Sequence, residues 1–395
     1  MPCSGSAPLP WRGLIVAFVA SRILIFAFAA VAMAAFPKGS FFDHPASPID
    51  WFIQWDADWF RDLINDGYAF NPDRPSNVNF LPLYPLLVRL LSWALPSVVA
   101  GYIVSNALLL AGAALLWRLT ERVTSNPVAA DAAVLLLLLG PVSFFFSTLY
   151  SEAAFLVCAT GSLLALTRNH WWLAGLLGAG AALSRSVGLL MVVPLCVVWA
   201  QRHLPWPLLQ RLPQLLPAGD RLKPAVHAAP ASAGGSAMLR LTACALPALA
   251  TLGYFAFLGW RFGEPRAYFI SHHHAGHVRS FVWQVFDTHH FATLPPFYQV
   301  WFGTAVVGGV LLLLLGTLQR LPLAFTALSA ALCYLYFSVK SVEAMPRFMS
   351  IVVPFYCTLG LLAARYPRGG LALLGFSTLL LGLSTALFVC GYWFT

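Results

Sequence analysis

The chain has 395 residues, of which 59% are hydrophobic and only 9% charged, with a formal net charge of +9. A soluble globular domain carries about 25% charged residues, so the composition excludes that class, and a basic nucleic-acid-binding domain with it. Repeated apolar runs long enough to cross a bilayer define an all-α polytopic membrane protein, because helices satisfy their own backbone hydrogen bonds inside lipid.

Taken in order, the first apolar run covers 13–36 and follows Arg12. It exceeds the roughly 7–15 residues of a signal-peptide core and reads as a retained first helix. Further runs lie near 98–118, 129–149, 151–168, 171–184, 187–202, 239–259, 298–318, 321–339, 346–364 and 371–392, for about eleven spanning helices. The segment 81–95 is interrupted by Pro82, Pro85 and Arg89 and reads as an amphipathic helix lying at the interface, with Tyr84 and Trp93 at headgroup level. Residues 205–237 are basic and rich in Pro, Ala, Gly and Ser, as expected of a flexible linker. Two other long connections, 37–79 and 261–296, are rich in aromatic, acidic and His residues. No internal repeat or soluble domain is found, so 1–395 reads as one transmembrane domain. The seven cysteines are scattered without a CxxC and suit small core positions.

Basic residues orient the helices. With the N-terminus in the cytoplasm and one crossing per helix, the cytoplasmic side holds twelve Arg and Lys residues against the acids Glu121, Asp131 and Asp220. This is the positive-inside pattern, and it makes 205–237 cytoplasmic and the other two long loops extracytoplasmic.

The unusual polar residues then share the outer face: Asp56, Asp58, Glu152, Arg185, Arg279, Lys340 and Arg347. Charges near bilayer level face one another or a wet cavity. Carboxylates and guanidiniums converging there suit an anionic lipid-phosphate ligand and acid–base chemistry. The sharpest stretch is Trp55-Asp56-Ala57-Asp58-Trp59-Phe60. Its two acids share a side if extended and diverge on a helix, where Asp58 and Asp62 become neighbours. A divalent cation on the two acids is an alternative that is not favoured, because two carboxylates make a thin ligand set. The histidines at 272–274, 277, 289 and 290 match no zinc spacing and read as solvated, or as polar contacts to a sugar or phosphate. No metal is therefore expected.

Several short motifs occur in order: Trp55-Asp56 with Trp59-Phe60, Phe80-Leu81-Pro82-Leu83-Tyr84-Pro85-Leu86, Tyr150-Ser151-Glu152, Leu183-Ser184-Arg185-Ser186-Val187-Gly188, Gly263-Glu264-Pro265 and Pro346-Arg347-Phe348. As a set they resemble the PIG-V family of mannosyltransferases, within the GT-C membrane glycosyltransferases. The resemblance implies a GT-C-like fold and transfer of a sugar, mannose by preference, from a polyprenyl-phosphate donor outside the cytoplasm, with inversion. It implies an essential acid in the first outer loop, which falls on Asp56 as general base with Asp58 as helper. Physical argument then assigns the donor phosphate to Arg347, Arg185, Lys340 and Arg279, since guanidinium forks bind phosphate bidentately. Glu152, Tyr84, Trp59 and His274 are the expected sugar and acceptor contacts; for Glu152 the alternatives are holding an arginine or capping its helix. The expected acceptor is a glycolipid, a glycan or a protein, and the expected site a bacterial cytoplasmic membrane. A multi-pass transporter or lipid flippase is the competing reading, and it calls for broken helices and charge pairs at the midplane.

Overall fold

A computed structural model describes residues 7–37, 47–204, 237–276, 296–338 and 344–392. Among these residues there are fifteen α-helices and no strand. Numbered in chain order, six stretches are long and apolar enough to cross a membrane: α1 (Trp11–Ala35), α4 (Ser97–Thr124), the run Ser186–His203 that ends in α8 (Val192–His203), α9 (Ala237–Phe262), α11 (Pro296–Leu318) and α15 (Pro367–Val389). Five shorter apolar helices lie where the sequence suggests further spans: α5 (Pro127–Leu138), α6 (Glu152–Thr167), α7 (Trp171–Ser184), α12 (Leu323–Phe337) and α14 (Val353–Arg365). The remaining four are short and polar-edged: α2 (Asp56–Asp66), α3 (Leu83–Leu91), α10 (Ala267–His274) and α13 (Met345–Ser350).

The expected span 129–149 is helical only to Leu138. Gly140 and Pro141 follow, and the chain continues through the 3₁₀ turn Ser143–Phe146 to α6. Proline has no N–H to donate and disfavours helix in the residue before it. The break leaves carbonyls open, and Arg22 from the middle of α1 satisfies them. Its guanidinium donates to Leu138 O at 2.7 Å, Ser143 Oγ at 2.9 Å and Ser143 O at 3.3 Å, and also to Ser147 Oγ. A cation inside an apolar helix is thus held by neutral oxygens that the neighbouring helix cannot pair itself.

The interfacial segment is helical over 83–91 rather than 81–95. Tyr84, expected at headgroup level, points inward and is fully buried, whereas Trp93 is exposed. The most extensive helix pairs are α7 with α9, which run parallel, and α6 with α7, which run antiparallel as a hairpin. Gly175 makes the tightest of these crossings feasible: a Cβ there would sit 2.4 Å from Ala243 O on α9. Small residues allow such backbone approaches between apolar helices, where lipid offers no hydrophobic drive for association.

The segments 47–79 and 261–276 meet. Ser76 N–H donates to Ser271 Oγ at 2.7 Å, and Ser271 Oγ donates back to Ser76 O at 3.0 Å. Tyr254 of α9 adds a hydroxyl bond to Val78 O at 2.7 Å. Gln54 Nε2 reaches Val389 O at the C-terminal end of α15 at 3.3 Å. One end of the bundle therefore gathers α2, α10, the start of α6 and the ends of α7, α9 and α15.

Candidate active site

Asp56 opens α2, and the backbone that delivers it is unusual. Trp55, the residue before it, has φ 57° and ψ −123°. This is a region a residue with a Cβ rarely occupies, and it persists only where the surroundings over-determine it. The surroundings are visible. The Tyr150 hydroxyl donates to Gln54 O at 2.8 Å, while Ala57 N–H and Asp58 N–H bond back to Gln54 O and Trp55 O at 3.1 and 3.2 Å. Phe60, one turn on, packs edge-on against Tyr84 and Phe80, with ring centroids 5.3 and 4.8 Å away. These contacts aim the first turn of α2 at the end of the bundle.

Arg347 meets Asp56 there. Its Nη1 donates to Asp56 Oδ2 at 2.6 Å and its Nε to Glu152 Oε1. The same Glu152 oxygen accepts from Arg185 Nη1 at 2.5 Å. The result is a row of alternating charge, Asp56–Arg347–Glu152–Arg185. Exposure grades along it: the Glu152 side chain is 0% exposed, Arg347 6%, Arg185 13% and Asp56 36%. The Arg347 guanidinium also lies over the rings of Tyr150 at 4.6 Å and Phe145 at 5.0 Å. Burial works against the Arg347 charge, and Glu152 and Asp56 more than offset it, holding the guanidinium above its ordinary value.

Local structure explains how each member arrives. Glu152 is the first residue of α6, where a carboxylate also suits the helix dipole. Arg185 follows the last residue of α7 with extended φ −146° and ψ 144°. Its carbonyl accepts from Gly188 N–H at 2.8 Å. A Cβ on Gly188 would lie 2.1 Å from Ala181 O, so this return of the chain requires glycine. Arg347 sits on the short α13 beside Phe348, whose ring stacks on Tyr336 of α12 at 4.3 Å.

Of the residues singled out from the sequence, Asp56, Glu152, Arg185 and Arg347 come together. Asp58 does not. It pairs with Arg61 at 2.8 Å on the outer side of α2, and burial pushes its carboxyl above the usual range, with Arg61 pulling it back and Asp62 pushing it up. Trp59 is exposed and stacks on Phe80 at 6.4 Å. The Tyr84 hydroxyl is within 2.9 Å of Ser105 Oγ and donates to Thr148 O at 3.3 Å, deep under the site. His274 is exposed at the end of α10. Lys340 and Arg279 lie outside the described residues, as do His277, His289 and His290. Among the described residues no group of three His, Cys, Asp or Glu side chains gathers as metal ligands. Sequence reading missed Phe145, Tyr150 as a ring beneath Arg347, and Tyr336, which feels Arg185, Glu152 and Arg347. Only Tyr150 left a trace, in the Tyr150-Ser151-Glu152 motif.

Comparison with known proteins adds to this geometry. A curated relative, GPI alpha-1,6-mannosyltransferase 2 of Rattus norvegicus, is 30% identical over 168 residues, covering 40% of this chain. The chain matches about a third of that protein's length, the aligned share being 33%. Two solved structures of the Archaeoglobus fulgidus oligosaccharyltransferase align over 95% of this chain. One, tethered with an acceptor peptide, has a TM-score of 0.47 at 13% identity over 55% of that protein. The other, AglB with an inhibitory peptide and a dolichol-phosphate, has a TM-score of 0.44 at 12% identity over 56%. Residues 46–215, the stretch that carries Asp56, Glu152 and Arg185, match the family Mannosyltransferase (PIG-V).

Proposed function

We propose that this chain is an integral-membrane mannosyltransferase that moves mannose from a polyprenyl-phosphate donor to an acceptor hydroxyl at the bundle end bearing Asp56. One observation carries the reading: the row Asp56–Arg347–Glu152–Arg185 is anchored in the protein at Glu152 and offers a carboxylate at its open end. The match over 46–215 and the rat relative support mannose as the sugar. The distribution of basic residues supports an extracytoplasmic face, in a bacterial cytoplasmic membrane on composition.

In this mechanism the acceptor hydroxyl approaches C1 of the sugar from the side opposite the phosphate. Asp56 takes the hydroxyl proton as the new C1–O bond forms. The bond from C1 to the phosphate oxygen breaks, the configuration at C1 inverts, and the electron pair leaves on the lipid phosphate. Arg185, with Lys340 and Arg279, meets that growing negative charge. A preorganised donor of this kind contributes roughly 3–4 kcal/mol of transition-state stabilisation. Two roles differ from the expectation. Arg347 has two of its donor nitrogens on acids, so it positions Asp56 and does not itself clamp phosphate. Glu152 holds two arginines and has no access to a sugar. Asp58, Trp59 and His274 remain candidates for acceptor contact on the open side.

The test uses the purified full-length chain in vesicles, a panel of polyprenyl-phosphate sugars, and release of polyprenyl phosphate as readout. Wild type is expected to turn over the mannose donor. Asp56→Asn is expected to lose at least about 100-fold in kcat, the usual contribution of a general base, with the protein still folded and inserted in the membrane. Normal turnover by a folded Asp56→Asn protein would overturn the assignment.

A further inference from the structure

The α6–α7 hairpin carries the acid–arginine row at one end only. Its other end lies about 24 Å away, the length of the 16-residue α6 at 1.5 Å per residue. There Asn169 makes the turn between the two helices at φ 65°. Its Oδ1 accepts from Trp171 Nε1 at 2.7 Å and from Arg202 Nη1 at 2.5 Å. Arg202, near the end of α8, and Arg240, near the start of α9, both lie over the Trp171 ring, at 5.5 and 5.9 Å. Two guanidiniums thus share one ring, Arg202 alone reaching the neutral amide, and among the described residues neither pairs with a carboxylate. Arg168 stands exposed on the same turn, and His203 Nε2 is buried with no hydrogen-bond partner among the described residues. A cavity of about 350 Å³ opens between Asn169, His170, Trp171 and Arg240, and its rim is apolar. Trp172, Leu173, Leu176 and Leu239 are exposed around it.

Like charges held this close repel, and a shared anion relieves them. Guanidinium forks match phosphate oxygens bidentately. Basic pockets between membrane helices, bordered by apolar surface, suit lipid headgroups. We propose that this cavity binds the phosphate headgroup of an anionic membrane phospholipid, with its acyl chain along the exposed Trp172, Leu173 and Leu176. The site stands apart from the proposed transferase chemistry and does not depend on it.

Native mass spectrometry of the full-length protein, released from bilayers of equal parts phosphatidylglycerol and phosphatidylcholine, tests the proposal. Wild type is expected to retain phosphatidylglycerol preferentially. Arg202→Gln/Arg240→Gln is expected to retain it about tenfold less, from the loss of two lipid-facing cations. Arg365→Gln/Arg368→Gln, with the same change in net charge at the junction of α14 and α15, which does not line the cavity, is expected to behave as wild type. If the double variant does not fold, Arg240→Gln alone serves, with a smaller loss expected. Equal retention of the two lipids by wild type, or undiminished phosphatidylglycerol on the Arg202 and Arg240 variants, overturns the proposal. Binding of inorganic phosphate in detergent that those variants lose, with lipid retention unchanged, also overturns it and identifies a free-phosphate site.

Discussion

Glu152 and Asp58 are both acids at helix starts near the same end of the bundle, and their environments set opposite expectations. Glu152 is wholly buried and serves two arginines through one oxygen. Removing one partner of a buried ion pair leaves charge uncompensated and costs about 3–5 kcal/mol. Glu152→Gln is therefore expected to lower the unfolding midpoint sharply, measured by tryptophan fluorescence in detergent, whatever it does to activity. Arg347→Lys is expected to fail similarly, because an ammonium cannot hold two acids in the planar arrangement of the guanidinium. Asp58 is half-exposed and its pair with Arg61 spans one turn of the surface, a class of contact worth about 0.2–1 kcal/mol. Its carboxyl is pushed above the usual range by burial. A raised carboxyl favours folding when protonated, and that contribution is lost as pH rises through the folded pKa. The melting temperature of Asp58→Asn relative to wild type is thus expected to be more favourable at pH 7 than at pH 4. The sequence motif presents the two acids as near equals; burial and partner choice separate them, and neither quantity is written in a six-residue motif.

At the scale of elements, the informative cases are those where a helix stops. Gly140 and Pro141 were visible in the sequence, yet the run 129–149 reads as continuous because hydropathy counts apolar side chains and not backbone donors. The compensating Arg22 lies more than a hundred residues earlier, so the capping of α5 is a tertiary fact. Gly175 at the α7–α9 crossing is similar. Gly175→Ala places a methyl 2.4 Å from a backbone oxygen that cannot rotate away. It is expected to cost about 1–3 kcal/mol, as overpacking does, read as a lowered melting temperature. The reciprocal Ser76–Ser271 bonds make a further prediction. Ser271→Ala orphans the buried Ser76 N–H, a loss of about 1–3 kcal/mol. Faster backbone hydrogen exchange is expected at 76–79 and 267–274, with α4 and α6 unchanged.

For the whole molecule, composition was enough to read an all-α membrane bundle, and the distribution of charged residues to group four polar residues that lie far apart in the chain. Asp56, Glu152, Arg185 and Arg347 do meet at one end, separated in the chain by as many as 291 positions. The order in which they couple, with Arg347 between the two acids, was not legible, because it depends on which nitrogen faces which helix. That order has a bearing on synthesis. Arg185 follows Glu152 by 33 positions, so the α6–α7 hairpin enters the membrane carrying its own neutralising partner. Arg347 arrives 195 positions after Glu152 and 291 after Asp56. Until α13 is made, the growing chain holds one more acid than base at the nascent pocket. The last helices therefore complete the charge balance: a polypeptide stalled before residue 347 lacks the guanidinium that joins the two acids.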